Sequence, residues 1–124
     1  MDVSVVDHPD DGVAVVALRG QLDIDTAAHL RGALRMVLRR PVPRIVVDLS
    51  DLTFCDSIGL SSLALAHNHC VESGGYLRLA APNPFLRKVL TVVGLAAALP
   101  MYRTVDAARA ADSTQEVTPV SPAP

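Results

Sequence analysis

Val46-Val47-Asp48-Leu49-Ser50-Asp51-Leu52-Thr53-Phe54-Cys55-Asp56-Ser57-Ile58-Gly59-Leu60 holds a strand, a turn and a helix start in one run. The apolar, β-branched stretch from Arg44 to Leu49 predicts a central strand covered on both faces. From about Ile58 to Glu72 the apolar residues Leu60, Leu63, Ala64, Cys70 and Val71 point to a helix, and Gly74-Gly75 ends it. A strand that passes into a helix through Asp56-Ser57 leaves a serine at the positive end of a helix dipole. Ser57 is then either a helix cap or a hydroxyl that another molecule can reach. The local pattern leaves both readings open.

Outward from that stretch the chain alternates. Val3 to Asp7 and Val13 to Leu18 are β-prone runs joined by His8-Pro9-Asp10-Asp11-Gly12. Pro fixes φ in that turn and Gly permits a positive φ, so the two runs predict an antiparallel hairpin that Gly20 ends. Asp25 or Thr26 caps a helix to about Arg39, with Ala27, Leu30, Leu34, Val37 and Leu38 on its apolar face. Pro41 and Pro43 stop it. Tyr76 to Ala81 is the next strand. Asn83 caps, and Pro84 opens, a helix whose buried face is Phe85, Leu86, Val89, Leu90 and Val93, ending at Gly94. Leu99 to Arg103 reads as a short strand, and Thr104 caps a last helix to about Ala111.

The order ββαβαβαβα predicts an α/β fold: a mixed, mostly parallel sheet with an antiparallel N-terminal edge hairpin and about four helices. Residues 1–111 form one domain in this reading. The tail 112–124 has three prolines and little to bury, and is expected to be disordered.

Composition narrows the function classes. The chain has 124 residues, of which 50% are hydrophobic and only 3% aromatic, so its core must be aliphatic. A net charge of −2, with no aromatic-interleaved basic stretch, argues against direct nucleic-acid binding. No apolar run reaches the roughly 18 residues a membrane span needs. With no apolar signal core near Met1, a cytoplasmic protein without membrane insertion is expected. Cys55 and Cys70 read as two buried, reduced thiols.

His67, His69 and Cys70 invite a metal reading, but residues 67 and 70 share a helical face that 69 leaves, so no metal site is expected. No cofactor is expected either: a Walker A loop and a dinucleotide fingerprint are both absent. Arg31, Arg35 and Arg39 form an i, i+4, i+8 stripe that reads as a solvated face, with a partner or nucleic-acid patch as the minority reading. Gly-x-Ser-x-Gly is absent, and no His and acid flank Ser57 as a triad. The charge of Asp56 disfavours a thiolate at Cys55. These features point to a binding module rather than an enzyme.

Gly20-Gln21-Leu22-Asp23-Ile24-Asp25-Thr26-Ala27, the Asp48 to Leu60 stretch, Gly74-Gly75 and the Pro84 to Leu95 segment together resemble a STAS domain of the anti-sigma factor antagonist type. The resemblance covers about Val3 to Ala111. It implies that Ser57 is a phosphoacceptor. It implies that the unmodified protein binds an anti-sigma factor, usually a serine kinase of the histidine-kinase-like ATPase type, and so frees a sigma factor. Phosphorylation by that kinase ends binding, and a PP2C-type phosphatase resets the switch. Asp23, Thr26, Asp56, Ser57, Ile58 and Gly59 are the matching positions expected at the partner surface.

Three positions depart from the commoner pattern. Ile58 stands where Ser or Thr is frequent, Gln21 where Glu is frequent, and Cys55 where a larger aliphatic residue is frequent. The alternatives are a non-switching STAS scaffold, a transporter-associated subunit, and a small hydrolase or thiol enzyme. A phosphate on Ser57 would add roughly −1.5 to −2 charge. Asp23, Asp25, Asp51 and Asp56, read as lying in or near turns after strands, would share that edge.

Overall fold

Ile45, Val46 and Val47 are all fully buried, as a run of consecutive apolar residues is when both faces of a strand are covered. They lie in β3 (Arg44–Cys55), the middle strand of a five-stranded sheet of order β1-β2-β3-β4-β5. The computed structural model describes residues 1–92 and 99–117. Its other elements are β1 (Asp2–His8), β2 (Val13–Leu22), α1 (Ala27–Leu38), α2 (Ser57–Glu72), β4 (Tyr76–Ala80), α3 (Pro84–Val92), β5 (Met101–Tyr102) and α4 (Val105–Ala110). β1 pairs antiparallel with β2, and every other pairing is parallel. This is the mixed sheet with an N-terminal edge hairpin that the alternation of elements predicts.

Sheet neighbours follow chain order, so successive crossovers of one hand place their helices on one face. The packing agrees. Leu30 and Leu34 of α1, Leu63 and Cys70 of α2, and Leu86 and Leu90 of α3 share one core with Val16, Val47 and Leu79. Among the described residues, α4 covers part of the opposite face, where Ala107 and Ala108 pack on Val15, Val46 and Tyr102. Arg109 of α4 anchors the hairpin turn: its Nε donates to Asp11 at 2.9 Å and it pairs with Asp10 at 3.1 Å.

Several boundaries differ from expectation. Gly20 does not end β2. It has φ +97 and sits at a register shift where β3 carries an extra residue, and β2 continues through it to Leu22. β3 likewise runs on past Leu49 to Cys55. Exposed Ser50, Asp51 and Thr53 look like loop residues, yet Leu52 among them and Cys55 after them are buried. The result is a β2–β3 ribbon that outruns β4, which stops opposite Asp48.

The tail was expected to be disordered from Asp112, but residues 112–117 pack along β5. Glu116 bridges Tyr102, the Arg103 N–H donates to the Gln115 carbonyl at 2.9 Å, and the Val117 N–H donates to the Met101 carbonyl at 2.8 Å. The free edge of β5 needs backbone partners, and these residues supply them. Residues 118–124 of the expected tail, and Val93 and Gly94 of the expected α3, lie outside the described residues.

Candidate functional site

The protruding ribbon ends in the turn that starts α2, and Asp56 organises that turn. Its backbone is extended (φ −92, ψ −177) and its Oδ1 accepts from the Gly59 N–H at 2.8 Å. Oδ2 accepts from the Ile24 N–H at 3.1 Å. One carboxylate therefore caps α2 and ties down the β2–α1 loop. Of the two readings open for Ser57, the cap is removed: the cap is Asp56, and Ser57 is the first residue of the helix.

Ser57 is exposed, and its Oγ makes no hydrogen bond among the described residues. The N–H groups of the first helical turn have no earlier carbonyl within α2 to bond. Asp56 takes that of Gly59, and among the described residues no side chain accepts from those of Ser57 and Ile58.

The loop that Asp56 holds is knitted from Asp23 and Thr26. Asp23 Oδ1 accepts from the N–H groups of Asp25 and Thr26, each at 3.0 Å. Thr26 occupies the N-cap position of α1 but makes no capping bond. Its Oγ1 donates to the Gln21 carbonyl at 2.8 Å and accepts from the Asp23 N–H at 2.9 Å. Neither Thr26 nor Asp25 caps the helix through its side chain, as one of them was expected to. The half-buried Asp23 shapes the loop with its carboxylate. Asp51 is not in a turn either: it lies inside β3 and pairs with Arg19 at 3.5 Å.

Gly59 lets the helix start against the ribbon. A Cβ there would stand 2.7 Å from both Leu22 Cγ and the Leu22 carbonyl oxygen, and 3.0 Å from Cys55 Sγ. Cys55 lies beneath this contact. Burial, and then the Asp56 carboxylate, push its thiol up to about 12. It stays protonated at neutral pH.

An apolar rim accompanies these polar groups. Ile24 is 69% exposed, Phe85 48%, Ile58 42% and Phe54 40%. The rings of Phe54 and Phe85 stack with centroids 6.4 Å apart. Phe85 was expected on the buried face of α3, but Leu86 and Leu90 take that face and turn it outward. Phe54 and Ile24 were not singled out from sequence. The available signal was two of the chain's few aromatics flanking the Asp56-Ser57 turn and the α3 start.

The profile of the family described as "Mlab, STAS domain" matches residues 6–102. The chain is a STAS-domain protein. Among similar proteins, the "Anti-sigma-F factor antagonist RsfB" of Mycobacterium tuberculosis is 31% identical over 103 residues, 83% of this chain and 82% of the relative. The "Anti-sigma F factor antagonist" of Paenibacillus polymyxa is 32% identical over 92 residues, 73% of this chain and 79% of the relative. The crystal structure of an anti-sigma factor antagonist from Mycobacterium paratuberculosis superposes with a TM-score of 0.79 at 34% identity, covering 89% of this chain and 92% of that one.

The remaining sequence candidates of this STAS domain lie elsewhere. His69 Nε2 is 2.6 Å from the Leu38 carbonyl and joins α2 to the end of α1. Cys70 is buried, and burial pushes its thiol up to about 11. Among the described residues no group of His, Cys, Asp and Glu side chains has the arrangement of a metal site. No described helix is long and apolar enough to cross a membrane.

Proposed function

We propose that this STAS protein is an anti-sigma factor antagonist switched by phosphate at Ser57. With the hydroxyl free it binds an anti-sigma factor that is itself a serine kinase of the histidine-kinase-like ATPase type, and a sigma factor is released. Phosphorylation of Ser57 ends binding, and a PP2C-type phosphatase restores it. The antagonist role is supported by the names of the relatives, and the kinase and phosphatase by the family resemblance. The observation that carries the switch is the division of labour at the turn. Asp56 does the capping, which leaves Ser57 exposed with an unbonded hydroxyl at a helix N-terminus.

Partner contact falls to the exposed rim of Ile24, Phe54, Ile58 and Phe85 around Ser57, with Asp23, Thr26, Asp56 and Gly59 holding that surface in shape. A phosphate at the first helical position meets free N–H groups and a favourable dipole, worth about 0.3–1 kcal/mol, so the domain keeps its fold. Its charge also lies beside Asp56 and within an apolar rim. A partner fitted to a neutral hydroxyl must then bury an unpaired dianion, at a cost of several kcal/mol. About 1.4 kcal/mol is already tenfold in affinity. A catalytic reading is disfavoured by the same geometry: the Ser57 hydroxyl has no base bonded to it, and the Cys55 thiol is held neutral.

The test is incubation with the cognate anti-sigma factor and ATP, followed by peptide mass spectrometry. One phosphate per chain on Ser57, absent from Ser57→Ala, is the expected result. No phosphate on a protein that still binds the partner would make it a non-switching STAS subunit.

A further inference from the structure

We propose that the groove between α1 and α2 is a binding site for a single-chain anionic amphiphile, with the alkyl chain on its leucine floor and the anionic head on Arg31 and Arg35. The site is separate from the Ser57 turn and does not depend on the function proposed for it. The groove measures about 450 Å³, within the range of small-ligand pockets of roughly 300–1,000 Å³. Its floor is Leu30, Leu34 and Ala66, all buried, and Leu65 on its wall is 69% exposed. Water-exposed apolar surface beside a buried apolar floor is the part of such a site that an alkyl chain covers favourably.

Charge decides the kind of occupant. Arg31 and Arg35 line the groove, both are exposed, and among the described residues neither takes part in an ion pair or side-chain hydrogen bond. No acidic residue lines the groove, although the chain as a whole carries a net charge of −2. Two guanidinium groups at i, i+4 repel each other along the helix, so an anion between them relieves a cost the free protein bears. A cationic head group is repelled there, and a neutral one gains no ion pair.

The shape favours a small molecule over a partner helix. The lining residues of α1 run from Leu30 to Leu38, about 12 Å at the helical rise. At the Leu38 end, His69 lines the groove and its ring meets the Leu38 carbonyl, joining the two walls. The cations stand on the α1 rim alone, and neutral Ser62 lies on the α2 side. One head group and one short chain satisfy this arrangement.

The test is isothermal titration of the full chain with octanoate, decanoate and decyltrimethylammonium below their micellar concentrations, with the site mapped by amide chemical shifts. Decanoate should bind one per chain and perturb α1 and α2 along the groove. Its affinity should exceed that of octanoate by about 15-fold, since each buried methylene is worth about fourfold. Arg31→Glu/Arg35→Glu should weaken decanoate by at least tenfold at an unchanged melting temperature, and Arg31→Gln/Arg35→Gln by less. Four results would each overturn the proposal: no saturable decanoate binding, equal binding of the cationic detergent, shifts that map away from α1 and α2, or occupation by an acidic leucine-glutamate helical peptide while decanoate fails.

Discussion

At the scale of single residues, the turn assigns one task to each side chain. Asp56 spends both carboxylate oxygens on backbone N–H groups of two different elements. Asp56→Ala should therefore cost more than an ordinary cap, about 2 kcal/mol, and lower the melting temperature by several degrees. Thermal unfolding followed by circular dichroism checks this, and a loss no larger than that of an exposed surface substitution would contradict it. Gly59 is there because the helix start and the ribbon approach to a distance that a Cβ cannot share. Gly59→Ala should destabilise by about 1–3 kcal/mol through overpacking against Leu22 and Cys55, measured by urea unfolding. Ser57 bears none of this load. Ser57→Ala should leave stability within about 0.5 kcal/mol of wild type.

At the scale of elements, the β2–β3 ribbon carries the Asp56-Ser57 turn out past the end of β4, and the α3 start brings Phe85 against Phe54 of that ribbon. Phe85→Ala should weaken anti-sigma factor binding by about tenfold or more, as loss of an exposed aromatic anchor does, while barely changing stability. Surface plasmon resonance with the partner measures it, and unchanged affinity would remove the Phe54–Phe85 pair from the interface. Much of this level was legible in the sequence. The strand from Arg44 to Leu49 and the helix after Asp56-Ser57 follow from the hydrophobic pattern, while the extension of β3 to Cys55 does not. The caps at Asn83 and Thr104 follow from residue type and are made, by bonds from the Leu86 and Ala107 N–H groups.

What was not legible at this scale has physical causes. Two register shifts each place an extra residue in β3 opposite β2, which breaks the alternation of β3 past Leu49 and makes its polar residues resemble a loop. The choice between Asp56 and Ser57 as cap rests on a one-residue difference in backbone conformation that residue preferences do not resolve. Thr26 fails to cap because Asp23 and Gln21 claim its hydroxyl, a loop contact without a helical signature. The outward turn of Phe85 depends on Leu86 and Leu90 filling the core first.

At the scale of the whole molecule, among the described residues α1, α2 and α3 pack on one face of the sheet and α4 on the other, and Arg109 of α4 ties that helix to the hairpin turn at Asp11. Burial alone would raise the Asp11 carboxyl. The hydrogen bond and charge of Arg109 and the Val13 N–H outweigh it and hold the group below its ordinary 3.8. A carboxyl lowered in the folded state contributes stability that is full above its ordinary value and lost as pH falls through the folded one. Unfolding free energy should therefore decline below about pH 4. Asp11→Asn should flatten that decline and lower stability at pH 7, as read from urea midpoints across pH. An unchanged acid slope would contradict the assignment.

The proposed switch also belongs to this scale, because it requires the fold to survive a modification that ends binding. Its most direct test compares wild type, Ser57→Asp and the Ser57-phosphorylated protein for affinity to the anti-sigma factor, alongside their melting temperatures. The account predicts melting temperatures within a few degrees of one another and binding weakened at least tenfold by either negative charge. Equal binding by all three, or binding lost only together with the fold, would contradict it.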